Sequence, residues 1–302
     1  MGFWDRLRRM LGFVPPMREG HVQCMGPHGL HRMAYVEWGD PANPRVLVCV
    51  HGLTRTGRDF DFLARALMDG YRVVCPDVVG RGRSDWLTLA ADYGFPVYLS
   101  DMTTLLARLN VETVHWVGTS MGGLIGMMLA AQTNTPITRL VLNDVGPLIT
   151  AESLKRIGEY VGKAPLFPSF EDADSYGRLV CKPFGNLSDA QWQHLNGHAV
   201  RQRPDGQWEM RYDPALGTPF RNSFVFGNVD LWPVYEALRC PTLLVRGAES
   251  DLLAPDIAQA MTRRGPRARL VEVPSVGHAP MFTDEFQIGL VRDFLLEARS
   301  PG

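Results

Sequence analysis

The run VHWVGTSMGGLIGMML, residues 114–129, decides the fold. Val114 to Val117 is apolar and rich in strand-forming residues. Gly118 ends the run, a lone hydroxyl follows at Ser120, and glycine returns at Gly122 and Gly123 before a stretch of helix formers. Gly118-Thr119-Ser120-Met121-Gly122 therefore spells G-x-S-x-G where a strand meets a helix. So tight a turn holds the serine in strained backbone, and the flanking glycines keep side chains from colliding there. Its Oγ is lifted clear of the sheet at a helix N-terminus. Free N–H groups and the helix dipole favour developing negative charge at that point.

The same rhythm extends outward in both directions. Residues 45–50 (RVLVCV) and 71–77 (YRVVCPD) are short apolar runs, as buried parallel strands require, and 31–39 is strand-like. Helical periodicity marks 59–70 and 98–110. Further on, 138–144, 241–247 and 268–274 read as strands, and 254–265 and 284–299 as helices. Such alternation predicts an α/β fold, a mostly parallel sheet flanked by helices. From about residue 148 to 235 the buried-strand runs stop, and helical pieces alternate with Pro and Gly breaks amid frequent aromatics. The expected organisation is an N-terminal amphipathic segment at 1–20, an α/β core at 21–147 and 236–302, and a helical insertion at 148–235.

Composition narrows the function classes. The chain has 302 residues, 45% hydrophobic and 21% charged, with a formal net charge of −1. That balance does not suit a general nucleic-acid binder. The five cysteines match no zinc spacing and fit a reducing, cytoplasmic compartment. No apolar run reaches the ~18 residues of a membrane span. Trp4, Leu7, Leu11 and Val14 fall at helical spacing among Arg6, Arg8 and Arg9. Residues 4–14 are thus a candidate contact with a membrane or another apolar surface, or a segment that docks on its own domain.

A serine hydroxyl is a poor nucleophile without a base and a group to orient that base. Asp251 lies in the loop after the strand at 241–246, and His278 in the loop after 268–273. In a parallel sheet these loops emerge at the carboxyl edge, the edge that carries Ser120. From roughly residue 30 to 300 the chain resembles the α/β-hydrolase fold superfamily. The likeness rests on the G-x-S-x-G turn, HGLTRTGRDF (51–60), PDVVGRGRSD (76–85), RGAESDLL and GHAP. It implies Ser120 as nucleophile, His278 as general base and then acid, and Asp251 as the group orienting His278. It implies backbone N–H groups of Leu53 and Met121 as the oxyanion hole, supported by His51, Gly52, Gly118 and Gly122. Asp144 follows the strand at 138–143, where some family members carry the acid, and is the second candidate. Asp77, Arg81 and Ser84 are expected to hold a loop together.

The insertion resembles the helical cap of many family members. Of its aromatics, Trp192, Phe220, Phe224 and Trp232 are candidates to line an apolar pocket over Ser120, while others build the cap's own core. His194 and His198 stand at i, i+4, but no carboxylate accompanies them at a usual ligand spacing, so they are expected to be packed or exposed, with no metal. No cofactor is expected.

The resemblance implies a serine hydrolase that cleaves a small to medium, fairly apolar carboxylic ester through an acyl-enzyme. The same triad serves lactonases, C–C bond hydrolases, haloperoxidase-like enzymes and acyltransferases. The short capped form also resembles intracellular hydrolases of hydroxyalkanoate (3-hydroxybutyrate) oligomers. Ser120 excludes the aspartate nucleophile of haloalkane dehalogenases and epoxide hydrolases. A non-catalytic receptor on this fold would need the pocket alone, and the complete set of site residues argues against it.

Overall fold

The computed structural model describes residues 17–220 and 227–297. The amphipathic residues 4–14 and Phe224 lie outside the described residues. The chain opens with β1 (Arg18–Gly26), β2 (Gly29–Trp38), β3 (Val46–Val50), helix α1 (Asp61–Leu67) and β4 (Arg72–Pro76). It continues through α2 (Phe95–Leu109), β5 (Val114–Thr119), α3 (Met121–Ala130) and β6 (Ile137–Asn143).

The insertion follows β6. It contains β7 (Leu148–Ile149), α4 (Ala151–Tyr160), β8 (Leu166–Phe167), α5 (Phe170–Val180), α6 (Asp189–Ala199), β9 (Val200–Gln202), β10 (Trp208–Met210), β11 (Val229–Asp230) and α7 (Trp232–Glu236). The core then resumes with β12 (Thr242–Gly247), α8 (Pro255–Met261), β13 (Arg269–Val273) and α9 (Glu285–Leu296).

Eight strands form one sheet in the order β1-β2-β4-β3-β5-β6-β12-β13. From β4 to β13 every pairing is parallel, whereas β1–β2 and β2–β4 are antiparallel. Strand periodicity sends alternate side chains to opposite faces. Val46, Val48 and Val50 of β3 pack in one apolar cluster with Met102 and Leu105 of α2, Ile125 of α3 and Met261 of α8. Leu47 and Cys49 point the other way, into a cluster with Leu63 and Leu67 of α1 and Val291 and Phe294 of α9. Burial on both faces is why these strands read as unbroken apolar runs.

β1 has no counterpart among the strands expected from the sequence, and its first residues fall within the N-terminal segment expected at 1–20. In REGHVQCMG only Val22 and Cys24 are buried, so β1 offers no apolar run and takes its conformation from pairing with β2.

Serine and threonine caps start helices α4, α5 and α6 of the insertion. Thr150 accepts from the Ser153 N–H, Ser169 from Asp172, and Ser188 forms a capping box with Gln191. Main-chain bonds stitch the insertion to the core: Gly82 N–H to the Arg211 carbonyl at 2.8 Å, and Asp213 N–H to the Gly80 carbonyl at 2.8 Å. Among the described residues no helix is long and apolar enough to cross a membrane.

Candidate active site

Strand β5 delivers Ser120 to the carboxyl edge of the sheet. Buried Trp116 anchors the approach, donating its indole N–H to the Gly122 carbonyl at 3.0 Å. Ser120 sits at φ 51° and ψ −115°, in the left-handed half of backbone space. A Cβ at Gly118 would collide with the Gly122 carbonyl, and one at Gly122 with the Val50 carbonyl. Both glycines are therefore required by the close approach of β3, β5 and α3.

The loop after β3 faces this turn. His51 is wholly buried, and its Nδ1–H donates to the Gly52 carbonyl at 2.7 Å while Nε2 accepts from the Val78 N–H at 2.9 Å. Burial pushes its pKa down to about 3, so the ring stays neutral and both bonds persist at ordinary pH. Buried Arg81 donates from Nε to the Leu53 carbonyl at 2.8 Å and reaches the Met121 Sδ at 3.4 Å. It thus braces the two residues whose N–H groups were expected to face an oxyanion. The Asp77 carboxylate accepts from the N–H groups of Gly57 and Arg83, and Ser84 donates to the Asp77 carbonyl, the loop-holding role expected of them.

The acid expected beside His278 was Asp251, and the structure places a different carboxylate there. His278 Nδ1–H donates to Asp144 Oδ2 at 2.7 Å. Asp144 is fully buried, at φ 53° directly after β6, a conformation aspartate tolerates. It also accepts the Gly247 N–H at 2.9 Å and the Ser250 hydroxyl at 2.7 Å. Three donors compensate the burial of one carboxylate. Asp251 is exposed and ion-paired with Arg156 of α4. The side chain that serves the buried acid from its loop is the neighbouring Ser250.

Ser120, His278, Gly52, Leu53 and Met121 all line one cavity of about 550 Å³. That size suits a small organic ligand. Of the expected cap aromatics, Phe220 lines it. Trp192 and Trp232 are buried elsewhere: Trp192 stacks on Phe184, and Trp232 packs on Tyr235 beneath Arg264. They belong to packing that short helical pieces do not reveal in sequence. The wall instead draws on Tyr160, Ile157 and Phe184 of the insertion and on Phe95 and Tyr98 at the start of α2. Phe95 and Tyr98 escaped the sequence reading because apolar residues at helical spacing look like ordinary core.

The fold also supplies the carboxylate that His194 and His198 lacked in sequence. Asp61, at the start of α1, stands 3.1 Å from His194 Nε2, and these three side chains come within reach of a common ion. Arg58 already holds that carboxylate from Nε, at 2.8 and 3.0 Å. Cys24, His31 and Asp101 form a second such group, fully buried, in which both carboxylate oxygens face His31 Nε2.

Comparison with known proteins agrees with this architecture. Residues 47–287 match the family model described as the alpha/beta hydrolase family. The chain is 53% identical over 288 residues to a 3-hydroxybutyrate-oligomer hydrolase of Cupriavidus necator, a match covering 93% of this chain and 98% of that protein. A crystal structure from Rickettsia typhi superposes with a TM-score of 0.86 at 30% identity, covering 93% of this chain and 99% of the other. An alpha/beta hydrolase structure from Novosphingobium aromaticivorans gives 0.80 at 33% identity, covering 92% and 98%. With the sheet order, the strained serine turn and a match over most of its length, the chain belongs to the alpha/beta hydrolase family.

Proposed function

We propose that the protein hydrolyses the ester bonds of short 3-hydroxybutyrate oligomers, with Ser120 as nucleophile, His278 as base and Asp144 as the group that orients His278. The observation that carries the substrate is the near full-length likeness, at 53% identity, to a 3-hydroxybutyrate-oligomer hydrolase. It favours the oligomer over a general apolar ester, the leading expectation from sequence alone. The chemistry is supported by Ser120 and His278 lining one cavity and by Asp144 on His278 Nδ1.

Asp144 fixes the proton on Nδ1, which leaves Nε2 free to accept. His278 Nε2 takes the Ser120 hydroxyl proton as Oγ attacks the ester carbonyl. The tetrahedral oxyanion is held by the backbone N–H groups of Leu53 and Met121. The carbon–oxygen bond to the alcohol portion then breaks, and His278 returns the proton to that leaving oxygen. The acyl group remains on Ser120. Water, deprotonated by His278, attacks it, and release of the acid restores the serine.

Incubation of the purified protein with 3-hydroxybutyrate dimer and trimer should release the monomer, followed by chromatography of the products. Turnover of p-nitrophenyl butyrate with no cleavage of either oligomer would leave a general esterase and remove the oligomer from consideration.

A further inference from the structure

The cavity over Ser120 is mostly apolar, so each charged group in its wall needs a reason. Arg55 is buried and committed to Asp59, binding both of its oxygens at 2.7 and 2.9 Å, with a further bond to the Leu195 carbonyl at 3.2 Å. His278 is held by Asp144. That leaves Arg156 and Asp251, paired where α4 meets the loop after β12. The side chains of this pair are 40% and 53% exposed, and among the described residues only Nη1 of the guanidinium is engaged. Such a pair contributes little by itself and is readily shared. The remaining edge of the guanidinium keeps N–H donors for a second carboxylate.

Tyr160 follows one helical turn later on the same face of α4 and lines the same cavity. Its hydroxyl makes no hydrogen bond among the described residues. Burial, the largest influence on it, raises its pKa to about 12, so the hydroxyl stays a neutral donor. One helix face thus offers a cationic fork and a phenolic O–H to the same space.

The chemistry of an oligomer says what needs them. In a chain of linked 3-hydroxy acids, every ester bond has the hydroxyl end on its acyl side and the acid end on its alcohol side. Wherever the chain is cut, the free carboxylate travels with the leaving portion. We propose that Arg156 and Tyr160 form the subsite that binds the terminal carboxylate of the substrate's leaving portion. The subsite rests on the oligomer function proposed above. It selects chains that end in a free acid and sets which end of the oligomer lies toward the insertion.

The test compares the 3-hydroxybutyrate dimer with its carboxamide-ended analogue, which has the same shape and no charge. Wild-type protein should favour the acid by about tenfold in kcat/KM, chiefly through KM, because a charged hydrogen bond is lost with the amide. The preference should shrink as salt is raised. Arg156→Gln should bring the acid-to-amide ratio to within about threefold of one, and Arg156→Lys should retain part of the preference. Tyr160→Phe should lower the ratio by about threefold. Equal cleavage of acid and amide by the wild type would overturn the subsite, and so would an unchanged ratio in folded Arg156→Gln. If neither dimer is cleaved while p-nitrophenyl butyrate is turned over, the substrate assignment itself fails and the subsite falls with it.

Discussion

Ser120→Ala should leave a folded protein whose kcat is lower by about 10⁴-fold or more, because loss of a nucleophile removes the covalent route entirely. The substitution deletes one oxygen at a position whose conformation is set by its neighbours: the Ser120 N–H still reaches the Asn143 carbonyl, and Gly118 and Gly122 still give room. Circular dichroism and thermal unfolding should therefore match the wild type. A fluorophosphonate should label the wild type once, at Ser120, and the variant not at all. Turnover near the wild-type rate in the alanine variant would remove Ser120 from the mechanism.

Asp144→Asn should cost about 10⁴-fold in kcat, as for loss of the orienting carboxylate in other triads. An amide at this position donates to Nδ1 where the carboxylate accepts from it. The ring proton is then driven to Nε2, where it blocks uptake of the serine proton. Asp251→Asn should cost less than about tenfold in kcat, since Asp251 is exposed and pairs with Arg156. Steady-state kinetics of the two variants on p-nitrophenyl butyrate decide the matter. The reverse order would mean that His278 takes its carboxylate from Asp251 during turnover.

The contrast between these two aspartates shows what a sequence can carry. The turn around Ser120 was legible because strand, glycines and helix all lie within sixteen contiguous residues, and each has a local physical cause. The core strands were legible because burial on both faces writes an unbroken apolar run. Which carboxylate meets His278 was not, because Asp144 and Asp251 both follow strands that end at the same edge of the sheet. What separates them is three-dimensional. The backbone after β6 turns left-handed at Asp144, and Ser250 and Gly247 present donors to that carboxylate from another loop. Strand β1 was missed for a related reason, since its conformation depends on a partner strand and only two of its side chains are buried. Among the insertion's aromatics, Trp192 and Phe220 carry the same chemical promise in sequence, and only packing sends one into a stack with Phe184 and the other to the cavity wall.

Asn143 gives the arrangement a mechanical property. It pairs with Thr119 in the register of β5 and β6, and its carbonyl accepts the Ser120 N–H at 3.0 Å. Its side-chain amide donates to Thr119 Oγ1 at 2.9 Å and to the Pro280 carbonyl, two residues past His278, at 2.7 Å. One residue thus ties the strand that leads to Ser120, the strand that leads to Asp144 and the loop that carries His278 into a single truss at the centre of the sheet. The insertion contributes no member to that truss. It meets the His278 loop instead, where the Gly277 N–H donates to the Pro183 carbonyl at 2.7 Å and Gln191 Nε2 to the Thr283 carbonyl at 2.9 Å, so a change in the insertion reaches His278 through its loop while Ser120 and Asp144 stay held by the sheet.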